Sequence, residues 1–480
     1  MNTEIVLTGG VALILWIFIW LCASYRSPLG WASPTSLFAV GLLSFYIVPS
    51  LYWQFRPWNY VIPSCFEGLP LVLEGAIVLG LPFVIYSVAE LGQKKVNKRI
   101  FQPRNEIYNK QLWIMLFPIS IGVAWRMYLV TIGWQGRLAR DNPSLLGSES
   151  LALIINNFWY YYAACYFALV AVGNKSQRRA GIVLWALDGL FQIYLLHRYW
   201  ILLFVFRSAV FMTLLRWKLK LRHWVIASIF GILVLSIIGQ SHIFSNKLVY
   251  GDKRYLTAGE VLEVLHRTGV GYVEGVLQDR GNASTEENML LRLLDDTMFR
   301  LYDARSASAV MMNVPDVIHY FYGETFLHMF YSLIPRYLWT EKPQLSDIHR
   351  VTIQVMPNDS GVNPAGTIAE FYMNYGFFAV LFGGIVSFIL CQWSDHILTR
   401  RVGAGPTWLC MYPLLAEQFI AANNNFTQRI SESIHWGLVL LLIAILLQFA
   451  KKQIVIIKGL NTKHSHALTK LVSEVEKTNQ

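Results

Sequence analysis

The amino-acid sequence predicts an all-α, polytopic integral membrane protein, and three observations support this fold class. The 480-residue chain is 55% hydrophobic and only 14% charged, and its mean hydropathy of +0.42 is too high for a soluble globular protein of this length. Apolar runs long enough to cross a bilayer recur along the chain. The formal charge of +11 is concentrated in short connections beside those runs, so it does not indicate nucleic-acid binding.

Runs of about 18 to 25 mostly apolar residues identify the predicted membrane spans. Eleven such runs lie at 5–24, 34–53, 69–90, 111–133, 151–172, 180–197, 199–216, 223–243, 366–392, 404–422 and 432–450. The first follows MNTE, which lacks the basic residues of a cleavable signal peptide, so we expect it to be a span. The five cysteines show no metal-site spacing and no metal-binding motif occurs, so no metal or cofactor is predicted.

Basic residues in the connections predict the orientation of the chain. Clusters of Lys and Arg occur at 94–110, 175–179, 216–222 and 400–401, and 451–452 follow the last span. With eleven spans and the N-terminus outside, all of these clusters fall on one side, as the positive-inside rule expects for the cytoplasm. The chain then divides into spans 1–8 at 1–243, an outer loop at 244–365, spans 9–11 at 366–450 and a cytoplasmic tail at 451–480.

The large outer loop is expected to be folded and helical. TAGE at 257–260 and STEE at 284–287 are capping-box patterns, and apolar residues at helical spacing such as Leu294 and Met298 follow the second. The aromatic segment 317–335 is nearly long enough to span, and a span there would move the basic tail outside. Its interior glycine and charged residues favour an interfacial or re-entrant segment at the outer headgroup level.

Charged residues inside the spans need a partner or a function, because an isolated charge is unfavourable in hydrocarbon. Four of them are predicted in the outer half of the membrane, namely Glu74, Arg126, Glu370 and Glu417. Together they form either a polar cavity that opens outward or a set of separate structural pairs.

Asp188 and Arg207 lie on either side of an outward turn at Arg198, at about ten and nine residues from it. At about 1.5 Å per residue, an antiparallel hairpin brings the two side chains to the same depth. We therefore expect a buried ion pair between Asp188 and Arg207.

Further basic residues fall on the outer side of the membrane, at Arg137, Arg140, Arg198, Arg336 and Lys342. Guanidinium groups bind phosphate oxygens in a bidentate way and keep their charge. These residues suit an anionic lipid-linked ligand, and contact with ordinary anionic phospholipid is the alternative.

Two stretches of the chain resemble a known family. IPRYLWTEKP at 334–343 and GTIAEFYMNYGFFAVLFGG at 366–384 are similar to the paired signatures of bacterial O-antigen (Wzy-type) polymerases. Those enzymes join oligosaccharide repeat units carried on undecaprenyl pyrophosphate at the periplasmic face of the inner membrane. The resemblance implies a GT-C-like architecture with a periplasmic N-terminus. The residues that match signature positions are Arg336, Lys342, Glu370, Asn374 and Gly376.

The resemblance also implies roles for individual residues. A base must assist the acceptor hydroxyl, and cations must stabilise the leaving pyrophosphate. The predicted catalytic residues are Glu370, Arg336 and His328, with Glu324 and His319 as alternative bases. The residues predicted to bind pyrophosphate or glycan are Arg126, Arg137, Arg140, Arg198, Lys342 and Asn374.

The implied partners are the undecaprenyl-pyrophosphate-linked oligosaccharide and membrane lipids, together with a chain-length regulator and a flippase of the same pathway. Two other functions stay open from the sequence. An O-antigen ligase would use the same donor with a different acceptor. A lipid-linked oligosaccharide flippase would show internal repeats and spans interrupted near the midplane, and the sequence shows no internal repeat and no P-loop.

Overall fold

A computed structural model describes residues 3–55, 67–91, 116–131, 163, 165–171, 173–194, 198–215, 263, 266–267, 294–295, 297–298, 301–332, 334, 339, 351, 355, 365–401 and 406–434. Every regular element in these residues is helical, as the sequence predicts. The helices are α1 Thr3–Arg26, α2 Pro34–Leu42, α3 Val48–Phe55, α4 Leu69–Ala89, α5 Leu116–Thr131, α6 Lys175–Tyr194, α7 Arg198–Leu214, α8 Ala304–Asn313, α9 Glu324–Ser332, α10 Gly366–Arg401 and α11 Pro406–Ile420, and residues 426–434 form α12. A π-helical turn at Leu43–Ile47 joins α2 to α3 in one continuous run.

Four helical runs are long and apolar enough to cross a membrane. They are Thr3–Arg26, Pro34–Phe55, Leu69–Ala89 and Gly366–Ile397, and they match the predicted spans 5–24, 34–53, 69–90 and 366–392. Helices α5 and α11 fall within two more predicted spans, and α6 and α7 overlap the predicted spans 180–197 and 199–216 but begin before them. The predicted span 223–243 and the capping boxes of the outer loop lie outside the described residues. The count of eleven spans therefore stays a prediction, whereas the all-helical class is confirmed for the described residues, four of whose helical runs have the length and composition of a span.

The helices are anchored to one another at two opposite ends of the bundle. At one end, the Arg26 guanidinium lies 3.3 Å from the Glu90 carboxylate and donates to the Ser87 carbonyl at 2.9 Å. At the same end, the Ser27 hydroxyl donates to Asp395 at 2.7 Å. The C-terminal ends of α1, α4 and α10 therefore meet here, in what we call the Arg26 end.

The opposite end, which we call the Glu370 end, contains the starts of α4 and α10. Gly68 lies against Ser308 and Met312 of α8, so α8 covers the start of α4. The Tyr46 hydroxyl reaches the Ala422 carbonyl just after α11. The sequence predicts that this end faces outward.

The shared direction of α4 and α10 bears on the ambiguous segment 317–335. Two parallel spans require an odd number of crossings between them, and the five predicted spans from 111 to 243 satisfy that condition. A sixth crossing at 317–335 would make the number of crossings even, and α4 and α10 would then run in opposite directions. The helix in that segment, α9, has 9 residues, too short for the roughly 20 that a span needs. The structure therefore supports the interpretation of this segment as non-spanning.

Helix α10 is broken near its start. Tyr375 has φ −153° and ψ 35°, and Gly376 has φ 61° and ψ −150°, so the helix is interrupted at these residues. The Phe371 ring packs so closely on Gly383 that a β-carbon there would overlap it. Because these residues are far apart along a straight helix, the piece 366–374, here called the folded-back helix, must turn back against the rest of α10.

The remainder of α10, from residue 377, is the part that runs along α4. The Phe388 ring lies 5.3 Å from Phe83 in an edge-on contact, and Gly384 lies against the Leu79 carbonyl. Its exposed apolar residues recur on one face, as expected for contact with lipid, at Phe378, Phe382, Ile385, Ile389 and Trp393. The crossing part of the predicted span 366–392 therefore begins after the break.

Candidate functional site

The folded-back helix carries Glu370, whose side chain is fully buried. The Glu370 carboxylate accepts a hydrogen bond from the Thr427 backbone N–H at 3.1 Å and another from the Thr427 hydroxyl. Thr427 lies in the first turn of α12, where backbone N–H groups have no partner within the helix. Glu370 thus supplies the anionic acceptor that this helix start requires.

Arg429, two residues further along α12, is also buried. Its Nε donates to the Gln418 carbonyl at 2.6 Å, and a terminal nitrogen donates to the Thr367 hydroxyl at 3.1 Å. The guanidinium lies 5.2 Å from the centre of the Phe38 ring, a cation–π distance. Arg429 therefore ties α11 and α12 to the folded-back helix.

The turn at 421–425, between α11 and α12, is fastened to the start of α10. The Thr367 hydroxyl donates to the Asn424 carbonyl at 2.9 Å, and the Gly366 N–H donates to the Asn425 side-chain oxygen at 3.0 Å. Gly366 has φ +83° and the Tyr46 hydroxyl occupies the place of its missing β-carbon. Only glycine suits this position, because the backbone is left-handed and the space is filled.

Asn374 connects the folded-back helix to the outer loop. Its amide donates to the Thr325 hydroxyl and to the Glu370 backbone carbonyl, both at 2.7 Å. Its side-chain oxygen accepts from the Gly323 N–H at 2.8 Å. All three contacts are internal, and the side chain is fully buried. This arrangement positions the start of α9 on the signature sequence of α10.

The break in α10 forms the second half of the same junction. The Tyr375 hydroxyl donates to the Tyr322 carbonyl at 2.8 Å, and their rings lie 5.6 Å apart. The Phe321 N–H donates to the Met373 carbonyl at 3.0 Å. Gly376, with φ 61°, faces the Tyr320 hydroxyl, which lies 3.2 Å from the position of a β-carbon. The outer loop therefore docks directly on the break.

A buried ion pair lies further inside the bundle. The Arg207 guanidinium donates to the Glu417 carboxylate from Nε at 2.9 Å and from a terminal nitrogen at 2.5 Å. Asp188, the partner expected from the sequence, accepts instead from the Tyr166 hydroxyl and the Gln192 amide, both at 2.9 Å. Equal depth on a hairpin does not determine which face of its helix a side chain takes. The expectation that Arg207 forms a buried ion pair was right. The expected acidic partner, Asp188, was wrong, because the partner is Glu417.

Asp303 is an acidic residue that the turn at 421–425 contacts. It immediately precedes α8 and is partly exposed. The Asn423 side chain hydrogen-bonds to its carboxylate, and Arg305 lies nearby. Burial raises the pKa of the Asp303 carboxyl to about 7, against the lowering effects of Asn423 and Arg305.

The structure describes the side chains of two predicted site residues, Glu370 and Asn374, and brings them together on the folded-back helix. For three others it describes the helix position alone, with Arg126 in α5, Arg198 at the start of α7 and His328 in α9. Arg137, Arg140, Arg336 and Lys342 lie outside the described residues. Glu74, Glu324 and His319 are exposed.

Arg429, Thr427, Asn425 and Asp303 were not identified from the sequence. The first three belong to the polar run NNNFTQR at 423–429, which separates two apolar runs. A buried arginine beside a predicted span was a usable signal, because such a charge needs a partner. No local sequence feature distinguished Asp303, because its contact with Asn423 depends on a residue that is distant in sequence.

The described part of the chain is all-helical, with four helical runs long and apolar enough to cross a membrane, a buried polar network and a broken helix at one end. No protein-family model, no curated protein and no solved structure matches the chain.

Proposed function

We propose that this protein joins undecaprenyl-pyrophosphate-linked oligosaccharide repeat units into O-antigen or exopolysaccharide at the periplasmic face of the bacterial inner membrane. One observation carries the proposal. Helix α9, which leads into IPRYLWTEKP, starts on Asn374 of the second signature. The helix that leads into the first signature is thus fastened to the second signature at the Glu370 end, although the two are separate in sequence.

The chemistry of such a transfer requires cations at the leaving pyrophosphate and a base at the acceptor hydroxyl. We assign the cationic role to Arg336 and Lys342, with Arg126, Arg137, Arg140 and Arg198 as further phosphate ligands. Trp339, within the first signature, packs edge-on against Tyr331 at the end of α9, with ring centres 5.3 Å apart. This contact brings Trp339 of the first signature to the end of α9.

The contacts of Glu370 support a positioning role more than direct catalysis. Its carboxylate is fully buried and accepts hydrogen bonds from Thr427. A catalytic base must come within hydrogen-bonding distance of the substrate. Glu370 instead holds the start of α12 against the folded-back helix. Asn374 has an equivalent role toward α9.

A lipid-linked oligosaccharide flippase is the second candidate, because broken helices are typical of transporters. In transporters the break lies near the midplane. Here Gly384 lies beside Leu79, and counting back along both helices sets Gly376 level with the first turn of α4. The break is thus near one end of the bundle, which favours an enzyme working at the membrane surface.

The surface-glycan profile of a strain lacking this gene tests the proposal. A polymerase deletion should accumulate single repeat units on their lipid and on the final acceptor. A ligase deletion should accumulate undecaprenyl-linked polymer that never reaches its acceptor. A flippase deletion should retain single lipid-linked units on the cytoplasmic side, and either of these last two profiles would refute the polymerase.

A further inference from the structure

Four tyrosines from two parts of the chain form one exposed surface beside the break in α10. They are Tyr320 and Tyr322, which precede α9, and Tyr372 and Tyr375 of α10, and we call them the tyrosine surface. The ring centres of Tyr320 and Tyr322 lie 6.2 Å apart, and those of Tyr322 and Tyr375 lie 5.6 Å apart. Tyr320 is also close enough to Tyr372 to interact with its phenol electrostatically. Each of the four side chains is at least partly exposed.

Tyr322 is the most exposed of these rings, and its position is fixed. It is 67% exposed, and its φ of 47° places the backbone in the left-handed region, which is uncommon for a residue with a side chain. The Tyr375 hydroxyl donates to the Tyr322 carbonyl, and the next N–H, that of Gly323, donates to Asn374. These contacts hold an aromatic ring in the open, where it gains nothing from burial. A ring kept exposed in a strained conformation indicates a binding surface.

Carboxylates border the tyrosine surface. Glu74 of α4 and Asp316 are both exposed, and both are close enough to Tyr372 to interact with it electrostatically. Glu74 lies about 8 Å below the start of α4, and the next residue, Gly75, lies against Ile368 of the folded-back helix. An exposed carboxylate at this depth is unfavourable in hydrocarbon. The tyrosine surface therefore faces water.

The lipid-facing stripe of α10 is a separate surface with a different composition. It consists of aromatic and aliphatic side chains, at Phe378, Phe382, Ile385, Ile389 and Trp393. Tyrosines that anchor a protein at the membrane interface stand beside such apolar side chains. The tyrosine surface instead combines phenols with the carboxylates of Glu74 and Asp316. Its chemistry fits a hydroxyl-rich ligand in water better than it fits lipid.

We infer that the tyrosine surface binds sugar rings of the oligosaccharide, an inference that rests on the proposed function for the identity of its ligand. One face of a pyranose ring presents C–H groups, which stack on the face of an aromatic ring. The sugar hydroxyl groups donate hydrogen bonds to carboxylates. Tyr322 supplies the exposed ring, and Glu74 and Asp316 accept from the hydroxyl groups. The tyrosine surface thus holds the glycan beside the second signature.

The binding test uses purified full-length protein in detergent and the oligosaccharide repeat unit, prepared by partial hydrolysis of the surface polysaccharide of the wild-type strain. Saturation-transfer NMR gives the dissociation constant. Tyr322→Leu should raise it about tenfold, because this change keeps apolar area and removes the ring. Tyr322→Phe, which keeps the ring, should stay within about threefold of wild type. Tyr25→Leu is the matched control, because Tyr25 is also 67% exposed and lies at the Arg26 end.

A second measurement distinguishes sugar from lipid as the occupant. A single cysteine replaces Tyr322 or Phe378 in a cysteine-free protein, which is labelled with bimane and reconstituted in nanodiscs. Iodide in the water should quench the label at position 322, and brominated phospholipid should quench the label at position 378. Stronger quenching by brominated phospholipid than by iodide at position 322 would identify a membrane anchor and overturn the inference.

The outcomes also separate this inference from the proposed function. If Tyr322→Leu and Tyr322→Phe bind the repeat unit as tightly as wild type does, the Tyr322 ring does not stack on sugar and the inference fails. It fails as well if wild-type protein binds no repeat unit, even when the deletion strain has the glycan profile of a polymerase mutant. Binding that depends on the Tyr322 ring, together with a ligase or flippase profile, would support the tyrosine surface and refute the polymerase.

Discussion

The buried carboxylate of Glu370 on the folded-back helix accepts hydrogen bonds from both the backbone N–H and the hydroxyl of Thr427 at the start of α12. These residues are separated by most of α10 and all of α11 in sequence. Their contact joins α12 to the folded-back helix, next to the hydrogen bonds of Gly366 and Thr367 that fasten the turn at 421–425. The Glu370 carboxylate is thus one of several groups that hold this end together.

The first prediction concerns this contact. Glu370→Gln should lower the free energy of unfolding by about 1 kcal/mol, because an amide oxygen can still accept from Thr427. Glu370→Ala should lower it by about 2 to 3 kcal/mol, because it leaves a buried N–H without its charged partner. Thermal unfolding in detergent provides the measurement. Thr427→Ser, which keeps the hydroxyl, should be milder than Thr427→Val, and the reverse order would contradict the role of that hydroxyl.

The second prediction concerns the buried pair of Arg207 and Glu417, whose side chains are 4% and 3% exposed. Arg207→Met alone should destabilise the protein by about 3 to 5 kcal/mol, because it leaves an uncompensated buried charge. Adding Glu417→Leu should recover most of that loss.

The matched control for this pair is the partly exposed pair of Arg26 and Glu90, whose side chains are 21% and 25% exposed. Glu90→Gln should change stability by less than about 1 kcal/mol. Thermal unfolding in detergent provides the measurement. If the stability losses of the single variants at Arg207 and Glu417 add up in the double variant, the two residues do not act as a pair.

The third prediction concerns the break in α10. Gly376→Ala should destabilise the protein by about 1 to 3 kcal/mol, because its backbone conformation is open to glycine almost alone. The new methyl would also lie 3.2 Å from the Tyr320 hydroxyl. Gly10→Ala in α1 is the control, since nothing lies within 4 Å of a β-carbon there. Equal stability of the two variants would show that the break is not a constraint.

The fourth prediction concerns topology. Single cysteines in a cysteine-free background should be labelled from the cytoplasm at residue 97 and in the tail, and from outside at residues 270, 345 and 424. Intact cells treated with an impermeant thiol reagent, before and after permeabilisation, provide the measurement. Cytoplasmic labelling at 345 or 424 would reverse the predicted orientation of the Glu370 end.

The fifth prediction concerns the pH dependence of stability. The pKa of Asp303 rises from 3.8 to about 7 on folding, so between these pH values the folded state holds a proton that the unfolded chain has lost. This contribution to stability is complete below the lower value and is lost as the pH rises through the upper one. The stability of Asp303→Asn minus that of wild type should therefore be larger at pH 8 than at pH 5. An unchanged difference in melting temperature at both pH values would contradict the raised pKa.

Several elements were predictable because their cause is local. The bounds of α1, α4 and the run Pro34–Phe55 follow from apolar length, which is set by the thickness of hydrocarbon to be crossed. Ser33 and Pro34, a capping serine followed by proline, mark the start of α2, and the Ser33 hydroxyl accepts from the Ser36 N–H. The sequence also identified Glu370, because a charge in an apolar run requires a partner or a function, and the family resemblance identified Asn374.

Only the tertiary structure decided how those polar groups are used. Glu417 became the partner of Arg207 because helix rotation, and not depth alone, determines which side chains meet. Gly376 allows the chain to turn back, but the packing of Phe371 on Gly383 and of Tyr320 on Gly376 is what selects the broken form of α10. Composition and length act within a single segment, whereas hydrogen bonds and ion pairs depend on distant segments. The membrane class could therefore be read from the chain, and the network around Glu370 required the fold.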